Sequence, residues 1–225
     1  MSETAVPHIA IVGAGYSGTQ TLAELVRHAR APLSIQVVES QHPLGQGVAY
    51  STMESVHLLN VRAAKMGAFA DDPGGFYDWL QTEVGRQAVA SFCPELEVTP
   101  EAFMPRAVYG AYLTDGLRRT VAEAAHKGIE VRFHKALAVD AELVDPVKQR
   151  LRLWLTQDGE RSSLEADVLV LATGNLPPKR FRFVDDLVDP QHRYVPDLWN
   201  PSPSSVFPWG VAQLSKDSEV VILGT

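Results

Sequence analysis

The chain has 225 residues, enough for one large α/β domain with a sizeable core, and 45% of them are hydrophobic. Its net charge of −7 argues against a nucleic-acid partner, because no basic stripe is available to neutralise phosphates. The single cysteine, Cys93, excludes a disulfide framework and fits a reducing compartment. No apolar run reaches the ~20 residues of a membrane span and no signal-peptide pattern is found, so we expect a cytoplasmic protein with no membrane partner.

The first element predicted along the chain is a βαβ unit over residues 8–39. An apolar strand runs into Gly13, Gly15 and Gly18, which form a G-x-G-x-x-G that opens a helix. In this motif the first glycine allows a tight turn, the second lets backbone approach a pyrophosphate, and the third lets the helix pack closely on the strand. The helix that begins near Tyr16 would point free N–H groups and its positive dipole end at the pyrophosphate.

A carboxylate stands at the end of the second strand of this unit. Glu39 follows about 20 residues after the last glycine, where it can accept hydrogen bonds from a ribose 2′-OH and would repel a 2′-phosphate. Because strand, turn, helix, strand and acid occur in this order, the segment predicts binding of an adenine dinucleotide.

A long, glycine-punctuated insertion occupies about residues 40–106. Within it, Asp72 is predicted to cap a short helix that carries Phe76 and Trp79. An insertion of this length is typical of either functional or disordered segments, and its aromatic and aliphatic content favours an ordered, functional one.

The second half of the chain predicts a helix, a small antiparallel meander and a last parallel strand. The helix and the first strands are expected at residues 107–126, 129–133, 136–144 and 151–156, with a hairpin turn at 157–160. Residues 166–172 are continuously apolar, which suits a parallel strand buried on both faces.

The C-terminal part predicts a connector and one further strand. Residues 177–218 are rich in proline, a composition typical of semi-rigid linkers. Residues 219–225 repeat the pattern of the first strand and its glycine, so we expect them to be the first strand of a truncated second NAD(P)-binding domain. The alternative is an ordinary C-terminal strand of the first sheet.

Several motifs of the chain resemble the bacterial FAD/NAD(P)-binding proteins with two dinucleotide domains, which are related to glutathione-reductase-type flavoproteins and flavin-dependent N-hydroxylases. The motifs are found at residues 12–18, 43–52, 57–66, 71–73, 105–113 and 171–175. The resemblance implies FAD as the first nucleotide and NAD(P)H in a later domain. It also implies that residues 1–176 form a Rossmann-like α/β FAD-binding domain, with a mostly parallel sheet, helices on both faces and a small antiparallel β-meander.

The same resemblance assigns cofactor-binding roles to individual positions. The pyrophosphate would be bound at Gly13, Ala14, Gly15, Tyr16, Ser17 and Gly18. The adenosine end would be bound at Glu39, Ser40, Ala136 and Leu137. The ribityl chain and the flavin ring would lie beside Gly45, Gly47, Asn60 and Val61, and the chain would pass close to the cofactor at Thr173 and Gly174.

Three residues near the expected flavin are candidates for catalysis. Asn60 and Arg62 could stabilise the reduced flavin by hydrogen bonding or charge, although Asn60 could equally be an Asx-turn residue. His57 could assist proton transfer at neutral pH, and its alternative is a packing role. The other histidines lack metal-ligand spacing, so we predict no metal site.

These features together predict an FAD-dependent oxidoreductase that is reduced by NAD(P)H, with monooxygenation or hydroxylation of a small molecule as the expected reaction. Two alternatives stay open. One is an NAD-dependent dehydrogenase with the nicotinamide cofactor in the first site, against which the Ala-Thr-Gly motif at residues 172–174 argues. The other is a non-enzymatic FAD-binding module.

Overall fold

The predicted βαβ unit opens the fold. In this computed structural model, which describes residues 6–147 and 149–175 together with Asp217, Glu219 and Val221, the unit consists of β1 (His8–Val12), α1 (Tyr16–His28) and β2 (Ser34–Glu39). The two strands pair in parallel, and the buried face of α1 is formed by side chains such as Leu22 and Val26. The predicted connector at 177–218 and the predicted strand at 219–225 lie outside the described residues, apart from those three.

The insertion folds into short helices. They are α2 (Gly47–Tyr50), a 3-10 turn (Ala63–Lys65), α3 (Gly75–Leu80) and α4 (Glu83–Phe92). The prediction that Asp72 caps α3 is wrong. Asp72 belongs instead to a tight turn in which its carbonyl oxygen accepts a hydrogen bond from Gly75 N–H (3.2 Å). The cap residue is Gly74. Helix α4 was not predicted, although Thr82 caps it by accepting from Gly85 N–H at 3.1 Å.

The second half follows the predicted order. Its elements are α5 (Arg106–His126), β3 (Glu130–Lys135), β4 (Leu137–Asp145), β5 (Arg150–Gln157), β6 (Glu160–Ala166) and β7 (Val168–Leu171). Most bounds differ by one or two residues, and at Ala166 the difference changes the strand, since Ala166 ends β6 instead of beginning the last parallel strand. It pairs with Leu151 in the antiparallel meander, and Asp167 then separates the two strands. The expected burial of the last parallel strand on both faces is wrong, since Val168 and Leu171 at its two ends are exposed.

The parallel sheet has the order β3-β2-β1-β7, and the meander has the order β4-β5-β6. Alternate residues of β1 and β2 face opposite sides, so Ile11 and Val37 pack with α1 and α5 whereas Ala10 and Val38 pack with the meander. The fold class predicted from the sequence is confirmed, with one difference. The helices that pack on the sheet share one face, and the meander covers the other, where the small side chain of Ala10 lets the second sheet approach.

Helix α5 joins the insertion to the sheet. Its Leu117 packs in the cluster beneath the sheet, whereas Tyr109 and Tyr112 pack with Phe76 and Trp79 in the aromatic core of the insertion. The Tyr112 and Trp79 rings are 5.5 Å apart between centroids. The insertion is thus an ordered layer built on α5, as its composition indicates. No helix in the described ranges is long and apolar enough to cross a membrane.

Two helical glycines provide a matched test of this packing. A Cβ on Gly85 of α4 would lie 2.2 Å from the Trp79 carbonyl oxygen, whereas one on Gly116 of α5 meets no described atom within 4 Å. We expect Gly85→Ala to lower the free energy of unfolding by about 1–3 kcal/mol through overpacking. Gly116→Ala should raise it by about 0.5–1 kcal/mol through reduced backbone entropy. Urea unfolding of both variants checks this, and equal effects would contradict the α3–α4 packing.

Candidate functional site

The carboxyl ends of three parallel strands meet at one edge of the sheet. The Gly13 N–H donates to the Val38 carbonyl at 2.8 Å, and the Ala172 N–H donates to the Val12 carbonyl at 2.8 Å. The ends of β1, β2 and β7 are therefore bound directly to one another. Such an edge is where open α/β sheets bind their ligands.

In the first glycine loop (Gly13–Gly18), backbone packing within the protein leaves no room for a side chain at two of the glycines. Gly13 has φ +100°, and a Cβ there would lie 2.2 Å from the Ala172 carbonyl oxygen. A Cβ on Gly18 would lie 1.8 Å from the Gly13 carbonyl oxygen. Gly15 differs, because its Cβ would only touch Gly47 Cα at 3.3 Å. Its missing side chain therefore makes room for Gly47, and close approach of a pyrophosphate to this backbone stays a prediction.

The N-terminus of α1 is suited to an anion. Gly15 is the N-cap, no described side chain caps the helix, and its first turn carries no acidic residue. The first N–H groups of a helix have no intrahelical partner and carry the positive end of the dipole. With Tyr16 and Ser17 both exposed, a pyrophosphate fits this end of the helix.

Glu39 is held as a carboxylate beside the first glycine loop. One oxygen accepts from Ala14 N–H at 3.0 Å, and the other accepts from Gln41 N–H at 2.9 Å and His42 N–H at 3.2 Å. Partial burial alone would raise the pKa of Glu39, but these three hydrogen bonds outweigh it and the pKa lies below its ordinary value. A carboxylate has about four acceptor positions, so one is left for a ribose hydroxyl.

The predicted adenine-side residues lie next to Glu39. The Ala136 N–H donates to the Glu39 carbonyl oxygen at 3.1 Å, and Ala136 itself is buried. Leu137, which begins β4, has half of its surface exposed. Ser40 directly follows Glu39. The structure therefore brings these predicted positions together, while their contact with adenine stays a prediction.

A second glycine loop (Leu44–Gly47) lies against the first. The Gly45 N–H donates to the Ala14 carbonyl oxygen at 2.8 Å. A Cβ on Gly47 would lie 3.0 Å from Gly15 Cα, and both Gly45 and Gly47 have positive φ, at +92° and +58°. The two loops predicted to bind one cofactor are thus in direct contact.

The last predicted backbone positions lie beside the first glycine loop. A Cβ on Gly13 would lie 3.3 Å from Thr173 N, and Gly174 has φ +71°. The chain therefore turns close to the fingerprint, as the Ala-Thr-Gly motif predicts.

The candidate catalytic residues belong to a different, exposed segment. Asn60, Val61 and Arg62 are exposed, and the hydrogen bonds around them run to residues 101–104, including Leu59 N–H to Met104 O at 2.9 Å. Arg62 forms an ion pair with Glu101. The roles of Asn60 and Arg62 toward a flavin stay predictions.

His57 already has a hydroxyl partner. Its Nδ1 lies 2.7 Å from Thr52 Oγ1, and its carbonyl oxygen accepts from Arg106 N–H at 2.8 Å. This arrangement favours an anchoring role for His57, and proton transfer stays a prediction. The described residues contain no group of three acidic, histidine or cysteine side chains that could hold a metal ion.

Sequence reasoning missed the residues that hold the second glycine loop. Thr114 Oγ1 donates to the Leu44 carbonyl at 3.2 Å and accepts from Gln46 Nε2 at 3.2 Å. On the same helix, a Cβ on Gly110 would lie 2.3 Å from the Tyr50 carbonyl oxygen. A glycine and a threonine four residues apart share a helix face, but this spacing does not indicate which segment they contact.

Comparison with known proteins now identifies the group to which the chain is related. Residues 10–176 match a protein family described as FAD-NAD(P)-binding. The chain belongs to this family. The resemblance stated from the motifs is confirmed, and FAD and NAD(P)H are the cofactors that membership supports. The geometry of the first glycine loop and Glu39 fits FAD.

Two curated relatives cover most of this chain. An L-aspartate N-monooxygenase (nitrosuccinate-forming) of Streptomyces davaonensis is 29% identical, over 76% of this chain and 30% of its own length. Nitrosuccinic acid synthase of Aspergillus oryzae is 30% identical, over 78% of this chain and 27% of its own length. The chain therefore spans less than a third of either relative.

The fold also matches a solved structure. The closed crystal structure of cyclohexanone monooxygenase superposes with a TM-score of 0.51 at 18% identity, over 79% of this chain and 28% of that one. This likeness confirms the FAD-binding α/β fold of the family.

Alanine substitution is expected to lower stability at Gly18 and FAD affinity at Gly15. Gly18→Ala should lower the free energy of unfolding by about 1–3 kcal/mol, because its Cβ would collide with the Gly13 carbonyl. Gly15→Ala should change stability by less than about 1 kcal/mol but weaken FAD binding at least about tenfold, because a Cβ 3.3 Å from Gly47 Cα would displace the second glycine loop from the first. Thermal unfolding and flavin titration separate the two effects. Equal FAD affinity in Gly15→Ala and wild type would contradict the site.

Removal of the Glu39 charge should change how stability depends on pH. Because the folded-state pKa of Glu39 is lowered, its stabilising contribution is present above the ordinary glutamate pKa and is lost as the pH falls through the folded value. We expect Glu39→Gln to reduce the slope of the free energy of unfolding with pH in that acidic range. The same substitution should weaken FAD binding about tenfold at neutral pH. Denaturant titrations from pH 3 to pH 7 measure the first effect. An unchanged slope would show that Glu39 is not held as a carboxylate.

Proposed function

We propose that this chain is the FAD-binding part of an NAD(P)H-dependent flavoprotein monooxygenase that acts on a small molecule. The observation that carries the proposal is the first nucleotide site. Its uncapped helix N-terminus, the bare backbone of Gly15 and the hydrogen-bonded Glu39 occur together in a member of the FAD-NAD(P)-binding family.

The protein's own residues bind and orient the cofactor in this proposal. The first N–H groups of α1 hold the pyrophosphate, Glu39 accepts from the adenosine ribose, and the second glycine loop lies toward the ribityl chain. When bound, FAD accepts hydride from NAD(P)H and supports the transfer of one oxygen atom from O2 to a substrate. The chain supplies position, charge and exclusion of water.

The domain organisation belongs to the same proposal. Residues 1–176 form the FAD domain with its insertion at about 40–106, residues 177–218 form the connector, and residues 219–225 begin the NAD(P)H domain. All described elements fall within the first of these segments. With one cysteine in the chain, a reducing, cytoplasmic location is part of the proposal.

The substrate proposed is a small amine that is oxygenated on nitrogen. The support for it is similarity, since both curated relatives described above carry names of N-oxygenation or nitrosuccinate formation and align with most of this chain. The side chains proposed to face the reaction are Asn60, Arg62 and His57.

Two measurements test this function. The purified 225-residue chain should bind FAD and show flavin absorption near ~450 nm. A full-length form should oxidise NADH or NADPH faster when L-aspartate or another small amine is added, with formation of an oxygenated amine.

The outcomes separate the alternatives. Bound flavin without NAD(P)H oxidation would indicate a non-enzymatic FAD-binding module. Binding of NAD⁺ instead of FAD at the first site would indicate a dehydrogenase, and either result overturns the proposed activity.

A further inference from the structure

We propose that Thr114 is a positioning residue of the cofactor site, which holds the second glycine loop (Leu44–Gly47) against the first without contacting the cofactor itself. The proposal rests on the proposed function insofar as the ligand is FAD. It starts from a line of hydrogen bonds that runs from Glu39 to helix α5.

The first part of this line crosses the first glycine loop. The Ala14 N–H donates to Glu39 at 3.0 Å, and the Ala14 carbonyl accepts from Gly45 N–H at 2.8 Å. Both backbone polar groups of Ala14 are therefore in use. The second glycine loop is thereby connected to the carboxylate proposed to bind the ribose.

The second part of the line ends on α5. The Thr114 hydroxyl donates to the Leu44 carbonyl and accepts from the Gln46 side-chain amide, each at 3.2 Å. One hydroxyl thus binds the residues on both sides of Gly45. Only a side chain that is both donor and acceptor can make these two bonds at once.

Close packing leaves the loop few other positions. A Cβ on Gly45 would lie 3.3 Å from the Leu113 carbonyl carbon, and one on Gly110 would lie 2.3 Å from the Tyr50 carbonyl oxygen. The loop at Gly45 and the end of α2 at Tyr50 therefore both lie directly on the α5 backbone. Gly45 and Gly47 both have positive φ, and because glycine backbone is conformationally free, an external anchor limits the positions open to this loop.

The decisive substitution is Thr114→Val, which keeps the side-chain shape and removes both hydrogen bonds. Thr114→Ser restores the hydroxyl. Thr120→Val is the matched control, because it makes the same change on the same helix beside the small cavity that Gln20 and Ala23 line. Each variant is made in the 225-residue chain.

Two readouts are measured for each variant. The first is the FAD dissociation constant, with the visible circular dichroism of the bound flavin as a signature of its position. Thr114→Val should raise the constant about three- to tenfold and change the spectrum, the size expected for one or two lost hydrogen bonds. Thr114→Ser should stay within about twofold of wild type, as should Thr120→Val.

The second readout is hydrogen exchange of residues 44–50 in the chain without added FAD. Thr114→Val should speed exchange in this segment, whereas Thr120→Val should not. If the wild type binds FAD and Thr114→Val behaves like Thr120→Val, the positioning role is overturned. If the wild type binds no FAD, the proposed function fails, and unchanged exchange of residues 44–50 in Thr114→Val would then overturn the positioning role separately.

Discussion

The close contact of bare backbone at Gly13 is the constraint on which the nucleotide site depends. Here β1, α1 and β7 approach so closely that a methyl group on Gly13 would overlap the Ala172 carbonyl, and one on Gly18 would overlap Gly13. The strand ends and the helix N-terminus can lie this close together only because Gly13 and Gly18 have no side chains. The N–H groups of α1 that we propose to bind the pyrophosphate are positioned by this contact, since it sets where the helix starts relative to the sheet edge.

Helix α5 packs against both the sheet and the insertion. It packs under the sheet through Leu117 and holds the aromatic core of the insertion through Tyr109 and Tyr112. At Gly110 and Thr114 it also supports the loop that touches Gly15. One helix therefore connects the proposed pyrophosphate end of the site to the segment that carries the candidate catalytic residues.

The parts of the fold that the sequence predicted are those determined by local pattern. The first glycine loop, Glu39 and the order of strands follow from residue type and periodicity over a few neighbours. The helix at residues 107–126 was predicted within one residue of its observed start at Arg106. The short helix α4 was missed although its ten residues are amphipathic and Thr82 caps it. Asp72 was misassigned because a helix cap and a tight turn favour the same residue type.

What could not be predicted depends on contacts between distant segments. Nothing in the sequence near Thr114 indicates that its hydroxyl binds a loop some 70 residues earlier, since a threonine within a helix is more often an ordinary solvent-facing or packing residue. For the same reason the sequence did not indicate that the meander covers one face of the sheet, where Ala10 and Val38 pack with its buried side chains. Fingerprint residues bind the ligand through a local backbone conformation, so a motif can reveal them. Residues that hold one loop against another act through tertiary structure, and they become visible only when the hydrogen bonds from Glu39 through Ala14 and Gly45 to α5 are seen together.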